Sequence, residues 1–238
     1  MDTQFDLHAE LAPGLPDAAG AWRFIRLFAA NYARPIVGSD GYDDAQLREA
    51  EQRLGFPLPA SMRAAYGLMG KRSDLTRGQD DLLTPHQLKI DDTGRMLVFR
   101  VEAQGCTKWG VPLSAVDEPD PPVSYSGASD WHPFLERFSL ACVEMVLSEW
   151  IAGGAPYGIN CQLEDDTIAM MEQRLRRLPL PDYPAWWWPS GGPVRWFEKA
   201  GAILLEHPGT WLWAGAASPD GLATVRQTLP GDWSDSYE

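Results

Sequence analysis

Residues 138–152 read FSLACVEMVLSEWIA, and no other segment constrains the fold as strongly. The stretch is apolar almost all the way round a helix, with Glu144 and Ser148 as its main polar stripe. Such a helix has no broad face to offer to water, so it must lie against a sheet. That sheet is predicted upstream. Between Leu82 and Tyr125 the chain breaks into short apolar runs, LLTPHQLKI, RMLVFRVEA, KWGVPLS and PPVSYSG, separated by Asp, Gly and Pro. Runs of this kind read as antiparallel strands with tight connections.

Working outward toward the N-terminus, helical spacing takes over. After the Gly/Pro-rich PGLPDAAG, Trp22, Ile25, Phe28, Ala29 and Tyr32 form one aromatic face until Pro35 stops the helix. A second helix opens at Asp43 or Asp44 and carries Leu47, Ala50 and Leu54 on one stripe. Gly55 stands as its C′ residue, with Phe56 placed for the accompanying apolar contact. Pro57, Leu58 and Pro59 turn the chain into a third helix that carries Met62, Tyr66 and Met69 and ends at Gly70. The pair makes an αα-corner.

Working outward in the other direction, a helix is predicted from about Asp165 to Leu178, with Ile168, Met171, Leu175 and Leu178 inward. Acids open it and Arg174, Arg176 and Arg177 close it, as the helix dipole favours. The loop PLPDYPAWWWPSGGP crosses to RWFEKAGAILLEHPGTWLWAGAAS, read as two or three strands around a turn at His207 to Gly209. A last helix is capped by Ser218, has Pro219 at its first position, and turns Leu222, Val225 and Leu229 inward. No internal repeat occurs.

At 238 residues and 26.4 kDa, with 45% hydrophobic residues, the chain can bury one sizeable core, or one core plus a docked extension, without metals or disulfides. Its formal net charge of −13 argues against direct binding to nucleic acid or anionic lipid, which Lys and Arg hold, and favours a basic partner. The opening MDTQFDLHAELAPGLP carries acids where a secretory signal needs basic and then apolar residues, and no apolar run reaches spanning length. Cys106, Cys142 and Cys161 form an odd set without CxxC spacing. They are read as reduced thiols of a cytoplasmic protein.

Signatures of catalysis are sparse. His8, His86, His132 and His207 lie far apart with no metal-ligand spacing, and no phosphate-cradling loop or nucleophile elbow occurs. Neither a metal nor a cofactor is expected. Cys106 with His132 is an uninformative pairing. Carboxylates are plentiful at Asp80/Asp81, Asp91/Asp92, Asp117/Glu118/Asp120 and Glu164/Asp165/Asp166, but acids in loops are usually solvated, and without an apolar pocket none becomes a general acid at neutral pH. Trp186, Trp187 and Trp188 could stack on a sugar or fold back over a core edge. Acidic loops with Trp109, Tyr125 and Trp131 nearby suit a protein interface, where acids steer and aromatic anchors hold.

Specific residues then resemble a known family. Leu47, Glu51, Leu54, Gly55, Leu58, Pro59, Met62 and Tyr66, within Asp44 to Met69, are similar to the opening motif of the SMI1/KNR4 family of the SUKH superfamily. Phe99, Glu102 and Gln104, then Lys108, Trp109, Gly110 and Val111, then Asp120, Pro121, Pro122 and Val123, follow its strand, Trp-Gly strand and Asp-Pro-Pro-Val turn in order. Trp131 and the helix from Phe138 to Trp150 resemble its closing elements, and the region from 194 onward resembles an extension seen in some members. Met69-Gly70 departs from the Asn-Gly common at that point, and the helix at 22–32 and the segment 156–193 have no place in the pattern.

The resemblance implies an α+β fold, with a curved antiparallel sheet and helices packed mainly on one side, and no catalytic residues. It divides the chain into an N-terminal helical segment at 1–43, a domain like the family's at 44–152, and an extension of helix, strands and helix at 153–238 docked on it. Bacterial members are commonly immunity proteins that neutralise a polymorphic or contact-dependent toxin, often a nuclease or deaminase, and such toxins are frequently basic. The expected partner is therefore a basic toxin domain, bound by a monomer or weak dimer through Asp117, Glu118, Asp120, Glu164, Asp165 and Asp166, with Tyr125 and Trp131 as anchors. Trp109 and Trp150 are assigned to the core. A regulatory scaffold of the same family, and less readily an acid-pair hydrolase of carbohydrates, are the other readings.

Overall fold

A computed structural model of the chain describes residues 5–127, 130–187 and 191–235. Local chemistry sets the N-terminal helices α1 (Leu7–Leu11), α2 (Ala18–Tyr32), α3 (Asp44–Leu54), α4 (Ala60–Met69) and α5 (Ser73–Thr76). Asp6 and Asp17 accept hydrogen bonds from Ala9 N and Gly20 N, capping α1 and α2. Asp43 is the N-cap of α3, in a capping box with Gln46. Gly55 ends that helix at φ 87°, a left-handed conformation that glycine adopts without steric cost.

The strands that follow are β1 (Asp80–Leu82), β2 (Lys89–Ile90), β3 (Met96–Glu102), β4 (Lys108–Pro112), β5 (Val123–Ser126) and β6 (Trp131–Leu135). They form an antiparallel sheet in the order β1-β3-β4-β5-β6, with β2 also paired to β3. Within LLTPHQLKI only the two ends are strand; Gln87 N and Leu88 N both donate to Thr84 O and turn the chain between them. Helix α6 (Phe138–Glu149) packs against this sheet, and its last turn relaxes into a π-helix over Trp150–Gly154.

The C-terminal part adds β7 (Tyr157–Gln162), α7 (Asp165–Arg174), β8 (Arg176–Arg177), β9 (Tyr183–Pro184), β10 (Pro193–Lys199), β11 (Ala202–His207), β12 (Trp211–Ala216), α8 (Pro219–Thr228) and β13 (Ser234–Asp235). These strands make a second antiparallel sheet in the order β13-β7-β12-β11-β10-β8, with β9 on β10. The α+β class and the antiparallel pairing agree with the sequence reading, but the strands divide between two sheets where one curved sheet was expected. Helix α7 stops at Arg174, short of Leu178, because Arg176 and Arg177 pair with Glu198 and Phe197. Ser218 stands at the N-cap of α8, yet its hydroxyl makes no capping hydrogen bond.

Side-chain alternation explains why β11 is apolar over most of its length. On β11, Ala202 and Leu204 face a core shared with Met171 of α7 and Leu222, Val225 and Leu229 around α8. Ile203 and Leu205 point the opposite way, into the main core with Val194 and Trp196 of β10. A strand buried on both faces shows no polar alternation. The N-terminal segment joins that main core too: Trp150 stands edge-on to Phe28 at 5.7 Å and Tyr32 at 5.2 Å, and its Nε1 donates to Tyr32 O at 3.0 Å. Trp109 and Trp150 are both buried, as expected. Among the described residues no helix is long and apolar enough to cross a membrane.

Candidate functional site

Beneath the junction of the two sheets lies a buried charge cluster centred on Arg100. The β3–β4 register shifts between Val98 and Arg100. Phe99 is the extra residue, and a bulge of this kind re-aims side chains. Phe99 meets Phe138 at 4.9 Å, and Arg100 also reaches α6. Its Nη1 donates to Glu144 Oε2 at 2.8 Å, and its Nη2 to Asp80 Oδ2 at 2.8 Å, Glu149 Oε1 at 2.5 Å and Ser148 Oγ at 3.2 Å. The guanidinium also lies 4.5 Å over the Trp109 ring.

The three carboxylates are not equivalent. Glu149 is closed off: its Oε2 accepts the backbone N–H groups of Gly78, Gln79 and Asp80 at 2.6, 2.7 and 3.1 Å. Asp80 and Glu144 keep 9% and 10% side-chain exposure, against none for Glu149. Burial pushes Asp80 up to about 7, with the Arg100 charge opposing and Glu149, Glu144 and Glu102 adding to it. Burial likewise raises Glu144, against the pull of Arg100. For Arg100 burial works against the charge, and Glu144, Glu149 and Asp80 more than reverse it.

Above Asp80, Arg100 and Glu144 opens a pocket of about 690 Å³. One wall comes from the first sheet and β9: Trp109 is 6.2 Å edge-on to Phe134, which is 4.9 Å edge-on to Tyr183. The other is a ladder from the second sheet. The cross-strand pairs Leu205↔Trp213 and His207↔Trp211 both line it, and Trp187 lies 4.2 Å from the His207 ring. Burial holds His207 down to about 4, so its imidazole is neutral near pH 7. Trp187 and Trp211, 40% and 41% exposed, are the most accessible of these rings. Volume, apolar walls and a few convergent polar groups are what a small-molecule site requires.

The residues singled out in the sequence fall elsewhere. Asp117 and Glu118 are exposed beyond the turn after β4, and Glu164, Asp165 and Asp166 are exposed where α7 begins. Asp120 is not free: its carboxylate accepts from Ser139 N at 2.9 Å and Ser139 Oγ at 2.5 Å, tying down the start of α6. Tyr125 cannot serve as a surface anchor, since it is 1% exposed and packs edge-on to Phe134 within the core. Trp131 is half-buried: its ring covers Gly110, where a Cβ would meet it at 3.1 Å, and its Nε1 donates to Asp91 Oδ2 at 3.2 Å. Of the three adjacent tryptophans, Trp186 and Trp187 line the pocket, and Trp188 lies outside the described residues.

Asp80 corrects the expectation that loop acids lack an apolar pocket, and Glu144 corrects the picture of a plain polar stripe on α6. Neither Arg100 nor Glu149 was singled out in the sequence. Their signal was a charge set inside an apolar run, in MLVFRVE and in EMVLSEW, where it must be paired to be buried. Chemically, Asp80 has the raised carboxyl of an acid catalyst, with two further carboxylates beside it. Glu149 is saturated by backbone donors and Glu144 is itself raised. Cys106, Cys142 and Cys161 are free thiols. Among the described residues no group of three His, Cys, Asp or Glu side chains could hold a metal ion. No family model, curated protein or solved structure matches the chain.

Proposed function

We infer that the protein is a non-enzymatic, cytoplasmic binding protein for a basic protein partner, acting as an immunity protein against a cognate polymorphic or contact-dependent toxin. The observation that carries this reading is the state of five acids. Asp117, Glu118, Glu164, Asp165 and Asp166 are exposed, and their carboxylates make no ion pair or hydrogen bond with a described residue. Arginines, by contrast, are spent inside the chain: Arg34 and Arg72 on Asp40, Arg63 on Asp44 and Glu51, Arg195 on Glu172 and Glu206. On a chain of net charge −13, that leaves an outward surplus of negative charge.

Such a surplus steers a basic partner into encounter and suppresses wrong ones. The likeness of residues 44–152 to the SMI1/KNR4 family, which rests on the motif residues alone, supplies the class of partner. Neutralisation would be by occupancy of the toxin's active site or substrate path. With Tyr125 internal, Tyr157 of β7, 44% exposed, is an available ring near Glu164 in the chain.

The test is co-expression with the product of the adjacent upstream gene. Growth rescue and a co-purifying complex are expected, with an association rate that drops by about tenfold or more from low to high salt. No rescue and no complex would overturn the reading in favour of a regulatory scaffold. An association rate indifferent to salt would remove its electrostatic part.

A further inference from the structure

We propose that the pocket between the two sheets binds a small organic cation, its ammonium head over the carboxylates of Asp80 and Glu144 and its apolar body against the tryptophan ladder. This goes beyond capture of a basic protein and does not depend on it. Charge is the first argument. Asp80, Glu144 and Glu149 surround the single guanidinium of Arg100, so the floor is short of positive charge. Among the described residues the lining offers no cation besides Arg100, whose two Nη groups are held by the carboxylates, since His207 is held neutral.

The walls are the second argument. Trp109, Trp186, Trp187, Trp211 and Trp213 all line the pocket, and the faces of aromatic rings attract cations. Tryptophan is the strongest of them, and the attraction grows when water is excluded. Accessibility is the third. Asp80 and Glu144 retain slight exposure while Glu149 has none, so a ligand meets two carboxylates whose positions Arg100 already fixes. An acceptor pair held in place before binding loses little entropy when the ligand arrives. A volume of about 690 Å³ leaves room for an organic body beyond the charged head.

The full chain would be titrated at about pH 8, where Asp80 is largely ionised, with choline, with benzyltrimethylammonium, and with 3,3-dimethylbutan-1-ol, the uncharged isostere of choline. Binding would be read by calorimetry and by tryptophan fluorescence. Both cations are expected to saturate a single site, with choline at least about tenfold tighter than its isostere. Asp80→Asn and, independently, Trp213→Leu should each weaken the cations by about tenfold, each with a native circular dichroism spectrum; Trp213→Leu covers the case in which the buried cluster tolerates no change. Equal binding of the isostere, no saturation by either cation below about 10 mM, or preferential saturation by a methyl glycoside would each overturn the proposal.

Discussion

Two sets of acids in this molecule have the same chemistry and opposite surroundings. Asp80, Glu144 and Glu149 share one guanidinium beneath an aromatic wall, whereas Asp117, Glu118, Glu164, Asp165 and Asp166 face water unpartnered. The buried set was costly to desolvate, so its value depends on every partner staying in place. The exposed set costs almost nothing and acts over distance, on encounter rates more than on stability. An acid's contribution here is decided by what lies around it rather than by how many acids adjoin it in the chain.

The sharpest way to break that contrast is to remove the shared cation. Arg100→Met leaves three carboxylates without their counter-charge, and a loss of about 3–5 kcal/mol is expected in urea denaturation at neutral pH. A loss below about 1 kcal/mol would mean that water already reaches the cluster. Tyr125→Ala should follow at about 3 kcal/mol, the cost of emptying a core site, with no selective effect on a partner. A stable variant with weakened association would return Tyr125 to the surface.

Asp80 allows a finer cut. Its folded-state value of about 7 lies above the ordinary carboxyl value of 3.8, so the native state holds the proton more tightly than the unfolded chain. Stability should therefore fall as pH rises through that window, by about 1.4 kcal/mol per unit from this group alone. Glu144, raised in the same direction, adds to the slope. Denaturation at pH 5, 6 and 7 should show a shallower slope for Asp80→Asn than for the native chain. Identical slopes would show that Asp80 is ionised throughout.

Some helix ends were legible in the sequence because their signals are local: Asp43, Gly55 and Pro219 each act within a few residues, whereas the end of α7 is set by pairing with β10 and Ser218 makes no capping hydrogen bond. The strands of the second sheet were partly legible for the same reason, but β7 was missed, its apolar signal being only Ile159 and Cys161. The pocket was not legible. It is assembled from residues near 80, 100, 144–149 and 205–213, and no local pattern says that these meet. Asp80 beside Asp81 looks like any solvated pair, and only one of the two is buried. What could be read was narrower: Arg100 and Glu149, charges flanked by Phe, Val and Trp, need partners from somewhere in the fold.

The smallest expected effect falls on the exposed set and is the most informative about function. Asp117→Asn with Glu118→Gln removes two unpaired charges from a surface loop, so stability should stay within about 0.5 kcal/mol. Glu164→Gln, Asp165→Asn and Asp166→Asn together should cost more, about 1–3 kcal/mol, because these acids stand at the N-terminus of α7, where the helix dipole favours them by about 0.3–1 kcal/mol each. If the acidic surplus steers a basic partner, both variants slow association at low salt while leaving dissociation nearly unchanged. The two groups lie on different loops, so the larger drop identifies the face the partner approaches first. A fall in stability of several kcal/mol from the Asp117/Glu118 variant would instead place these acids in the same class as the buried trio, and the contrast between the two sets would collapse.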